Sequence, residues 1–259
     1  MDPRRIVGRY TLHALSHVGR FAAFFVEMVR TLNEWRIWVP RTFEQAQNIG
    51  YGSLFIVLLT AAFAGAVTAL QASYQFQANL PVYIVGGLIV NSIVLELAPV
   101  LTALLLAGRI GARYAAELGT MRVTEQIDAL ESLGRSPMSH LIIPRVIAGT
   151  LMLPVLVIFA DLIGIVAGYF FAHISSLQIS SADFIYGARY FFRPWDLWYS
   201  MIKSLFFGLA ISLVPSYVGF TTKQGAEGVG RATTAAVVSA SVMILFLNAL
   251  LAQWLLTNA

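Results

Sequence analysis

Five long apolar runs dominate this chain of 259 residues and constrain its fold more than any other feature. They cover approximately residues 51–72, 82–106, 141–171, 195–220 and 232–256. A helix of about 20 apolar residues crosses a bilayer, because backbone polar groups in lipid must bond within the segment. Only 12% of the residues are charged, compared with about 25% in soluble domains. The sequence therefore predicts an all-α integral membrane protein with five transmembrane helices.

The first 48 residues have a different pattern, because charged residues interrupt every apolar stretch. Apolar residues recur there at helical spacing, namely Val18, Phe21, Phe25, Met28, Leu32 and Trp35. Nearby arginines and the Trp35/Trp38 pair favour a helix lying in the membrane interface, while packing of this helix against the spans is the alternative. We therefore predict an N-terminal interfacial amphipathic region over residues 1–48 and a transmembrane domain over residues 49–259.

The basic residues are concentrated on one side of the predicted spans. Seven precede the first span, five lie within 109–145 and two within 221–231, whereas the opposite side has Arg189 and Arg193. The positive-inside rule then places the N-terminus and the 109–145 segment in the cytoplasm, and five spans place the C-terminus outside.

The connections between spans are predicted from their polar and glycine content. A polar turn is expected at Gln71–Pro81, a connection with a helical piece (Ala182–Phe192) at Ser175–Pro194, and a glycine-rich loop at Thr221–Arg231. Within the first span, a small-residue face permits close helix contact or leaves room for a ligand; it comprises Ala62, Gly65, Ala66 and Ala69.

The segment Glu117–Gly134 carries four of the 13 acidic residues and lies between two apolar runs. With Thr124 as N-cap, a short helix places Val123, Ile127, Leu130 and Leu133 on one face and Glu125, Asp128 and Glu131 on the other. Gly134 and then Pro137 mark its end. An amphipathic helix of this kind suits contact with a separate soluble partner, and a solvated connecting helix is the alternative.

Sequence signals for catalysis, metal binding and nucleic-acid binding are absent. The chain has no cysteine, no phosphate-binding loop and no serine with His/Asp neighbours at a known spacing. His13 and His17 stand four apart without a third ligand, and no basic run is interleaved with aromatic residues. We therefore expect a non-catalytic chain that binds no metal, no cofactor and no nucleic acid.

Ionisable residues inside the spans are the strongest candidates for a functional site. Glu96 lies near the middle of the second span, where an unpaired charge costs at least ~2.5–3.5 kcal/mol. Pro99 frees the carbonyl near Leu95 and is expected to bend the helix beside this carboxylate. The pattern favours a substrate-facing site, with a structural hydrogen bond between spans as the alternative. Asp161 and Lys203 also lie within spans, and Lys203 could pair with either acid.

Residues 95–134, LELAPVLTALLLAGRIGARYAAELGTMRVTEQIDALESLG, strongly resemble the signature region of the MlaE (YrbE-like) permease family. The resemblance extends to GVGRATTAAVV at residues 228–238 and covers essentially the whole chain. Members of this family are permease subunits of ABC transporters that move phospholipids between bacterial inner and outer membranes. Some members carry a basic residue immediately before the signature glutamate, where this chain has Leu95.

The resemblance implies a homodimer in the bacterial inner membrane, driven by a separate cytoplasmic ABC ATPase (MlaF-like) that binds ATP and Mg²⁺. It also implies an MCE-domain protein (MlaD-like) on the outer face and a small STAS-domain protein (MlaB-like). The implied lipid pocket comprises Gln71, Tyr74, Glu96, Leu97 and Pro99. The implied coupling residues are Glu117, Arg122, Thr124, Glu125, Gln126, Asp128 and Leu130, on or beside a short cytoplasmic coupling helix between spans 2 and 3.

Three other functions remain as alternatives to an ATP-driven permease. An ion-coupled secondary transporter would use Glu96 and Asp161 as proton carriers, although five spans cannot form an inverted repeat. A lipid-modifying membrane enzyme would need a nucleophile and base that the sequence lacks. A passive scaffold would bind partners without moving substrate.

Overall fold

The computed structural model describes residue 16 and residues 19–75, 81–174, 178–223 and 225–257 of the chain. All regular secondary structure within these residues is helical. The helices are α1 (residues 19–30), α2 (Trp35–Gln75), α3 (Tyr83–Val123), α4 (Gln126–Ser132), α5 (Met138–Ile174), α6 (Ser181–Phe191), α7 (Pro194–Phe220) and α8 (Gly225–Thr257).

Five helices, α2, α3, α5, α7 and α8, are long and apolar enough to cross a membrane. The shortest, α7, has 27 residues and so a length of about 40 Å, which exceeds the roughly 30 Å of a hydrocarbon core. The predicted all-α architecture with five spans and an N-terminal helix is therefore confirmed. Every span is longer than its apolar run, because helical hydrogen bonding continues into the more polar segments at its ends.

Helix α1 packs one apolar face against the end of α7. Phe24 and Met28 are buried there. The ring of Phe24 contacts those of Tyr217 and Phe220, with centroids 5.4 Å and 5.7 Å apart. An apolar strip on the same helix, which includes Phe25, remains exposed. Helix α1 therefore combines the two arrangements expected from the sequence: it packs on the spans and presents apolar side chains outward.

The predicted N-terminal stripe does not run along one continuous helix. A 3₁₀ turn at Thr31–Asn33 separates α1 from α2, so Leu32 and Trp35 do not continue the face of α1. Phe25 is exposed, and the buried position is taken by its neighbour Phe24. Val18 lies outside the described residues. Phe24 and Phe25 both fit the helical spacing of the apolar residues. The packing of α1 against α7 determines that Phe24 faces the bundle.

Helix α2 runs without a break from Trp35 to Gln75, including Pro40. The first span helix therefore begins before the apolar run near Tyr51, inside the region interpreted as interfacial. At the other end, Gln71 lies in the last turns of α2, so the predicted polar turn beginning at Gln71 is wrong. Residues 76–80 of that turn lie outside the described residues.

Small residues bring α2 and α5 into close contact. Gly65 and Ala69 are buried on α2. A Cβ added at Gly65 would overlap the carbonyl oxygen of Gly164 on α5, and one at Gly164 would lie 3.1 Å from Ile93 of α3. The small-residue face of the first span thus serves close helix packing, which was one of the two expectations for it.

Helix α3 contains two wide π-helical turns, Ile93–Leu97 and Ala107–Gly111. It continues to Val123, well past the predicted end of the second span at residue 106. The first part of the 109–145 segment, which was predicted to lie beyond the second span, is therefore a helical extension of that span. Helix α5 also begins with a wide turn, Met138–Ile142.

Helix α4 is shorter than predicted and starts differently. Thr124 is not its N-cap, because its Oγ1 donates to the carbonyl of Thr120 in the preceding helix. Glu125 precedes α4 in a left-handed conformation, with φ at 60°, and no side chain caps the helix. The chain therefore makes a sharp corner between α3 and α4, where the prediction had a capped helix start.

The end of α4 agrees with the prediction. Gly134 has φ at 69°, its N–H bonds to Glu131, and the N–H of Arg135 bonds to Leu130. These two bonds form a Schellman motif, which favours glycine at the left-handed position. Leu133 lies beyond the last helical residue and is 75% exposed, so its predicted place on the apolar face is wrong.

The last three helices complete the bundle. Helix α6 matches the predicted helical piece within one residue at each end. Helix α7 packs against α5, α8 and the second half of α3, and so lies centrally. Helix α8 begins at Gly225, so most of the predicted glycine-rich loop at residues 221–231 is helical, and that prediction is wrong. Gly225 has a positive φ, which allows the turn into α8.

Candidate functional site

Glu96 lies in the first wide turn of α3, next to a proline that disrupts the helical hydrogen bonds. The N–H of Ala98 reaches back to the carbonyl of Ile93, five residues earlier. Pro99 has no N–H, so it cannot bond to the carbonyl of Leu95. Lys203 of α7 supplies the missing donor, with Nζ 3.0 Å from the Leu95 oxygen. The freed carbonyl predicted near Leu95 is therefore present and satisfied by a different helix.

The Glu96 carboxylate accepts hydrogen bonds from three residues on two other spans. Its Oε1 lies 2.7 Å from Lys203 Nζ and 3.1 Å from the hydroxyl of Tyr199, both on α7. Its Oε2 accepts from Asn248 Nδ2 on α8 at 3.1 Å. Lys203 also donates to the Tyr199 hydroxyl at 3.1 Å. We call Glu96, Lys203, Tyr199 and Asn248 the Glu96 network; it joins α3, α7 and α8.

The two charges of the Glu96 network differ in exposure. The Lys203 side chain is completely buried, whereas 43% of the Glu96 side chain is exposed. A buried ammonium needs a counter-charge and full hydrogen bonding, and Lys203 has three acceptors for its three protons. The network is thus neutral overall, with its anionic end at an open surface.

That surface is a cavity of about 550 Å³ between the second half of α2 and the first half of α3. Its polar lining comprises Thr68, Gln71, Gln75, Ser92 and Glu96, and its apolar lining includes Leu97. Three of the five residues predicted for a lipid pocket line it, namely Gln71, Glu96 and Leu97. Tyr74 and Pro99 do not: Tyr74 is 90% exposed on α2, and Pro99 is buried in α3.

The predicted pair of Asp161 and Lys203 is not formed, because Lys203 bonds to Glu96. Asp161 on α5 is only 7% exposed and faces Ser200 of α7. Within the described residues, neither Asp161 Oδ1 nor Ser200 Oγ has a partner at hydrogen-bonding distance and angle. No cation in the described part of the chain compensates this carboxyl group.

Glu117, predicted to contact an ATPase, is bound within the chain. Its Oε1 lies 2.6 Å from Arg113 Nε one turn earlier on α3, and its Oε2 lies 3.0 Å from Arg145 Nη2 on α5. The Arg145 guanidinium also lies over the ring of Tyr114, 5.6 Å from its centroid. Glu117 therefore ties the extension of α3 to α5.

The other predicted coupling residues lie on or beside α4. Arg122 forms an ion pair with Asp128 and lies over the ring of Phe220. Ile127 is buried and Leu130 is half-buried, so α4 is held on the bundle through its apolar side. The exposed polar residues on or just before α4 are Thr124, Glu125, Gln126, Asp128, Glu131 and Ser132. A polar, mainly acidic surface is thus presented at the end of the bundle.

Sequence reasoning missed two members of the Glu96 network. Tyr199 precedes Lys203 by four residues, a spacing that places both on one helix face and could have indicated their contact. Asn248 is an amide within the last apolar run, and such residues often bond across helices in membranes. Its Oδ1 has no partner among the described residues.

The described histidines show no metal site. His140 lies against the carbonyl of Ser136, and His173 against that of Ile179. Within the described ranges, no group of three or more His, Asp or Glu residues could hold a metal ion. His13 and His17 lie outside those ranges.

The fold and the site define a polytopic helical membrane protein with a charged network inside its spans and a cavity beside it. Residues 42–254 match the model of the family described as Permease MlaE. A probable ABC transporter permease protein of Rickettsia prowazekii (strain Madrid E) is 38% identical over 248 residues, which cover 96% of this chain and 95% of the relative.

A second probable ABC transporter permease protein, from Synechocystis sp. (strain ATCC 27184 / PCC 6803 / Kazusa), is 39% identical over 91% of this chain and 89% of the relative. The chloroplastic protein TRIGALACTOSYLDIACYLGLYCEROL 1 of Arabidopsis thaliana is 37% identical over 90% of this chain and 66% of the relative. The chain belongs to the MlaE permease family. It is an ABC transporter permease, and the resemblance noted in the sequence is confirmed.

Proposed function

We propose that this permease moves phospholipids between the inner and outer membranes of a bacterium and so maintains the lipid asymmetry of the outer membrane. The observation that carries the proposal is the cavity between α2 and α3, which has a paired carboxylate at one end and apolar helix faces around it. The name of the Arabidopsis relative contains that of a galactolipid, which supports a lipid as the substrate class.

In this proposal the lipid headgroup lies against the polar lining of the cavity, and Glu96 contacts it directly. The acyl chains lie along exposed apolar side chains of α2, among them Phe63 and Val67. Two copies of the chain form a homodimer, and the second copy covers the open side of the cavity. Because Lys203 neutralises Glu96, the site would hold a zwitterionic or anionic headgroup without a full unpaired charge in the membrane.

The energy source in this proposal is a separate ABC ATPase that binds ATP and Mg²⁺ and docks on the exposed face of α4. Closure of the ATPase dimer moves α4, and the Arg122–Asp128 pair transmits this movement to α3. Since α3 also carries Glu96, displacement of its end narrows the cavity and expels lipid. The permease itself performs no covalent chemistry.

The same proposal assigns the orientation and the remaining partners. The chain lies in the bacterial inner membrane with its N-terminus and α4 in the cytoplasm and its C-terminus in the periplasm, since 14 of its 17 basic residues would then be cytoplasmic. An MCE-domain protein caps the outer face, and a small STAS-domain protein accompanies the ATPase.

Reconstituted transport tests the proposal. The permease is placed in liposomes with its ATPase and MCE partners, and transfer of a fluorescent phospholipid to acceptor liposomes is followed with and without ATP. Because Glu96→Gln removes the counter-charge of the buried Lys203, it is tested beside the double variant Glu96→Gln/Lys203→Met, and the assembled fraction of each should show slower ATP-dependent transfer. Glu44→Gln, an exposed position outside the cavity, should transfer normally. Equal rates for Glu96→Gln and the unaltered protein would remove Glu96 from the lipid site. Transport by the chain alone, driven by an ion gradient, would support the ion-coupled alternative.

A further inference from the structure

A second cavity, of about 420 Å³, lies where α1, the end of α7 and the start of α8 meet. It is separate from the Glu96 cavity in its lining and in the helices that form it. The side of α3 beyond Gly119 lies nearby, since a Cβ on Gly119 would lie 3.3 Å from Thr222, a lining residue. The cavity is therefore at the end of the bundle that carries α4.

Three cationic side chains from three different elements line this cavity. Arg20 comes from α1, Lys223 from the connection after α7, and Arg231 from the second turn of α8. None of the described residues that line the cavity is acidic. Glu227 reaches Arg231 from the adjacent turn at 3.6 Å, but both side chains are largely exposed, and such a pair is weak. Three cationic side chains therefore surround the cavity in the described part of the chain.

The position of α1 sets the depth of this cavity in the membrane. The helix buries Phe24 against α7 and exposes an apolar strip, Phe25, Val26 and Val29. An amphipathic helix with such a strip lies in the interface plane, with its apolar side chains at the boundary between headgroups and acyl chains. Arg20, one turn before Phe24, then lies at the level of lipid phosphates.

We propose that this cavity binds the phosphate group of an anionic phospholipid from the surrounding leaflet, at a site distinct from the transport cavity. Arginine and lysine bind phosphate through charge-assisted hydrogen bonds, and basic pockets between membrane helices bind anionic headgroups. The volume accommodates a phosphodiester headgroup. A bound lipid would join α1, the connection after α7, and α8.

A diffuse attraction between the basic protein surface and anionic lipids would also enrich these lipids, without any binding site. The test therefore compares two triple variants, each of which replaces three basic residues. The cavity variant is Arg20→Gln, Lys223→Gln and Arg231→Gln. The control variant is Arg30→Gln, Arg36→Gln and Arg135→Gln, which removes the same charge from exposed positions outside the cavity. Lys223→Gln alone is included because a single exposed substitution preserves folding.

Native mass spectrometry of the delipidated full chain is carried out with added dioleoyl phosphatidylglycerol or dioleoyl phosphatidylcholine. The unaltered chain and the control variant should retain phosphatidylglycerol in preference to phosphatidylcholine. The cavity variant should bind phosphatidylglycerol about 100-fold more weakly, since each cation near a lipid surface contributes roughly a factor of five. Lys223→Gln alone should weaken binding by about that single factor.

Equal loss in the cavity and control variants would overturn the proposal in favour of surface charge alone. A second result would overturn the lipid assignment and leave a free-phosphate site. In that result, millimolar inorganic phosphate displaces the lipid and protects the chain against thermal unfolding as well as the lipid does. The measurement uses neither nucleotide nor transport, so its failure leaves the proposed function untouched.

Discussion

The Nζ of Lys203 lies 2.7 Å from the Oε1 of Glu96, and the two residues are 107 positions apart in the sequence. This ion pair connects the wide turn of α3 to the central helix α7. The lysine lies entirely inside the bundle and the glutamate borders the cavity. The pair thus links the structural core directly to the candidate substrate site.

Lys203→Met should destabilise the protein strongly. The substitution leaves the Glu96 carboxylate without its cation and the Leu95 carbonyl without a donor. Breaking a fully buried pair costs about 3–5 kcal/mol, and the partial exposure of Glu96 places the expected loss near the lower value. Thermal unfolding in detergent measures the change. The double variant with Glu96→Gln should recover part of the loss, and an unchanged melting temperature for Lys203→Met would contradict this account.

Asp161→Asn should leave thermal stability unchanged or raise it. Among the described residues, Asp161 has no cation partner, and its Oδ1 makes no hydrogen bond. Replacing a buried carboxyl group by a neutral amide of similar volume removes any penalty for a charged form. The same melting assay applies, with Asp196→Asn as the comparison, because Asp196 accepts the backbone N–H of Arg193 at 3.0 Å. A large loss for Asp161→Asn would indicate a partner for the charged group.

The two arginines that bind Glu117 should differ in their contributions to the stability of the protein. The Arg145 side chain is 6% exposed and bridges two helices, whereas that of Arg113 is 54% exposed and lies on the same helix as Glu117. Arg145→Gln should lower stability by about 1–3 kcal/mol. Arg113→Gln should lower it by about 0.3–0.5 kcal/mol, the value for an exposed pair one helical turn apart. Equal effects in denaturant titrations would show that burial does not distinguish the two pairs.

Gly65→Ala should loosen the contact between α2 and α5. Its Cβ would overlap the Gly164 carbonyl oxygen, which belongs to the backbone and cannot rotate away. Overpacking of this kind costs about 1–3 kcal/mol. Gly108→Ala is the matched control, since a Cβ there meets nothing within 4 Å. The melting temperature of Gly65→Ala should be lower than that of Gly108→Ala. Equal shifts of the melting temperature in the two variants would argue against close packing at Gly65.

Glu125→Arg with Asp128→Arg should abolish co-purification of the ATPase, because both side chains are exposed on the proposed docking face. Asp128→Arg also breaks the pair with Arg122, so a second variant combines it with Arg122→Asp to restore an opposite-charge pair. Glu44→Arg serves as the charge control outside α4. Retention of the full complex by the Glu125/Asp128 variant in a pull-down would rule out this face of α4 as the docking site.

The sequence predicted the features that depend on local chemistry. Five helices follow from the apolar runs, and the carbonyl freed by Pro99 follows from the missing N–H. The contact of Asn248 with Glu96 spans 152 positions, and no local pattern specifies which polar group meets which across helices. The choice between Phe24 and Phe25 likewise depends on the surface of α7. The start of α2 and the end of α3 were missed because charged residues beyond the bilayer continue a helix as readily as apolar ones do.

The wide turn at Ile93–Leu97 holds one residue more than an α-helix needs. One residue corresponds to about 100° of rotation and 1.5 Å of rise. If the wide turn moved to another position in α3, the helix on one side of Glu96 would rotate by this angle relative to the helix on the other side. Glu96 would then turn away from Lys203. The wide turn therefore allows α3 to rotate at the position where Glu96 borders the cavity.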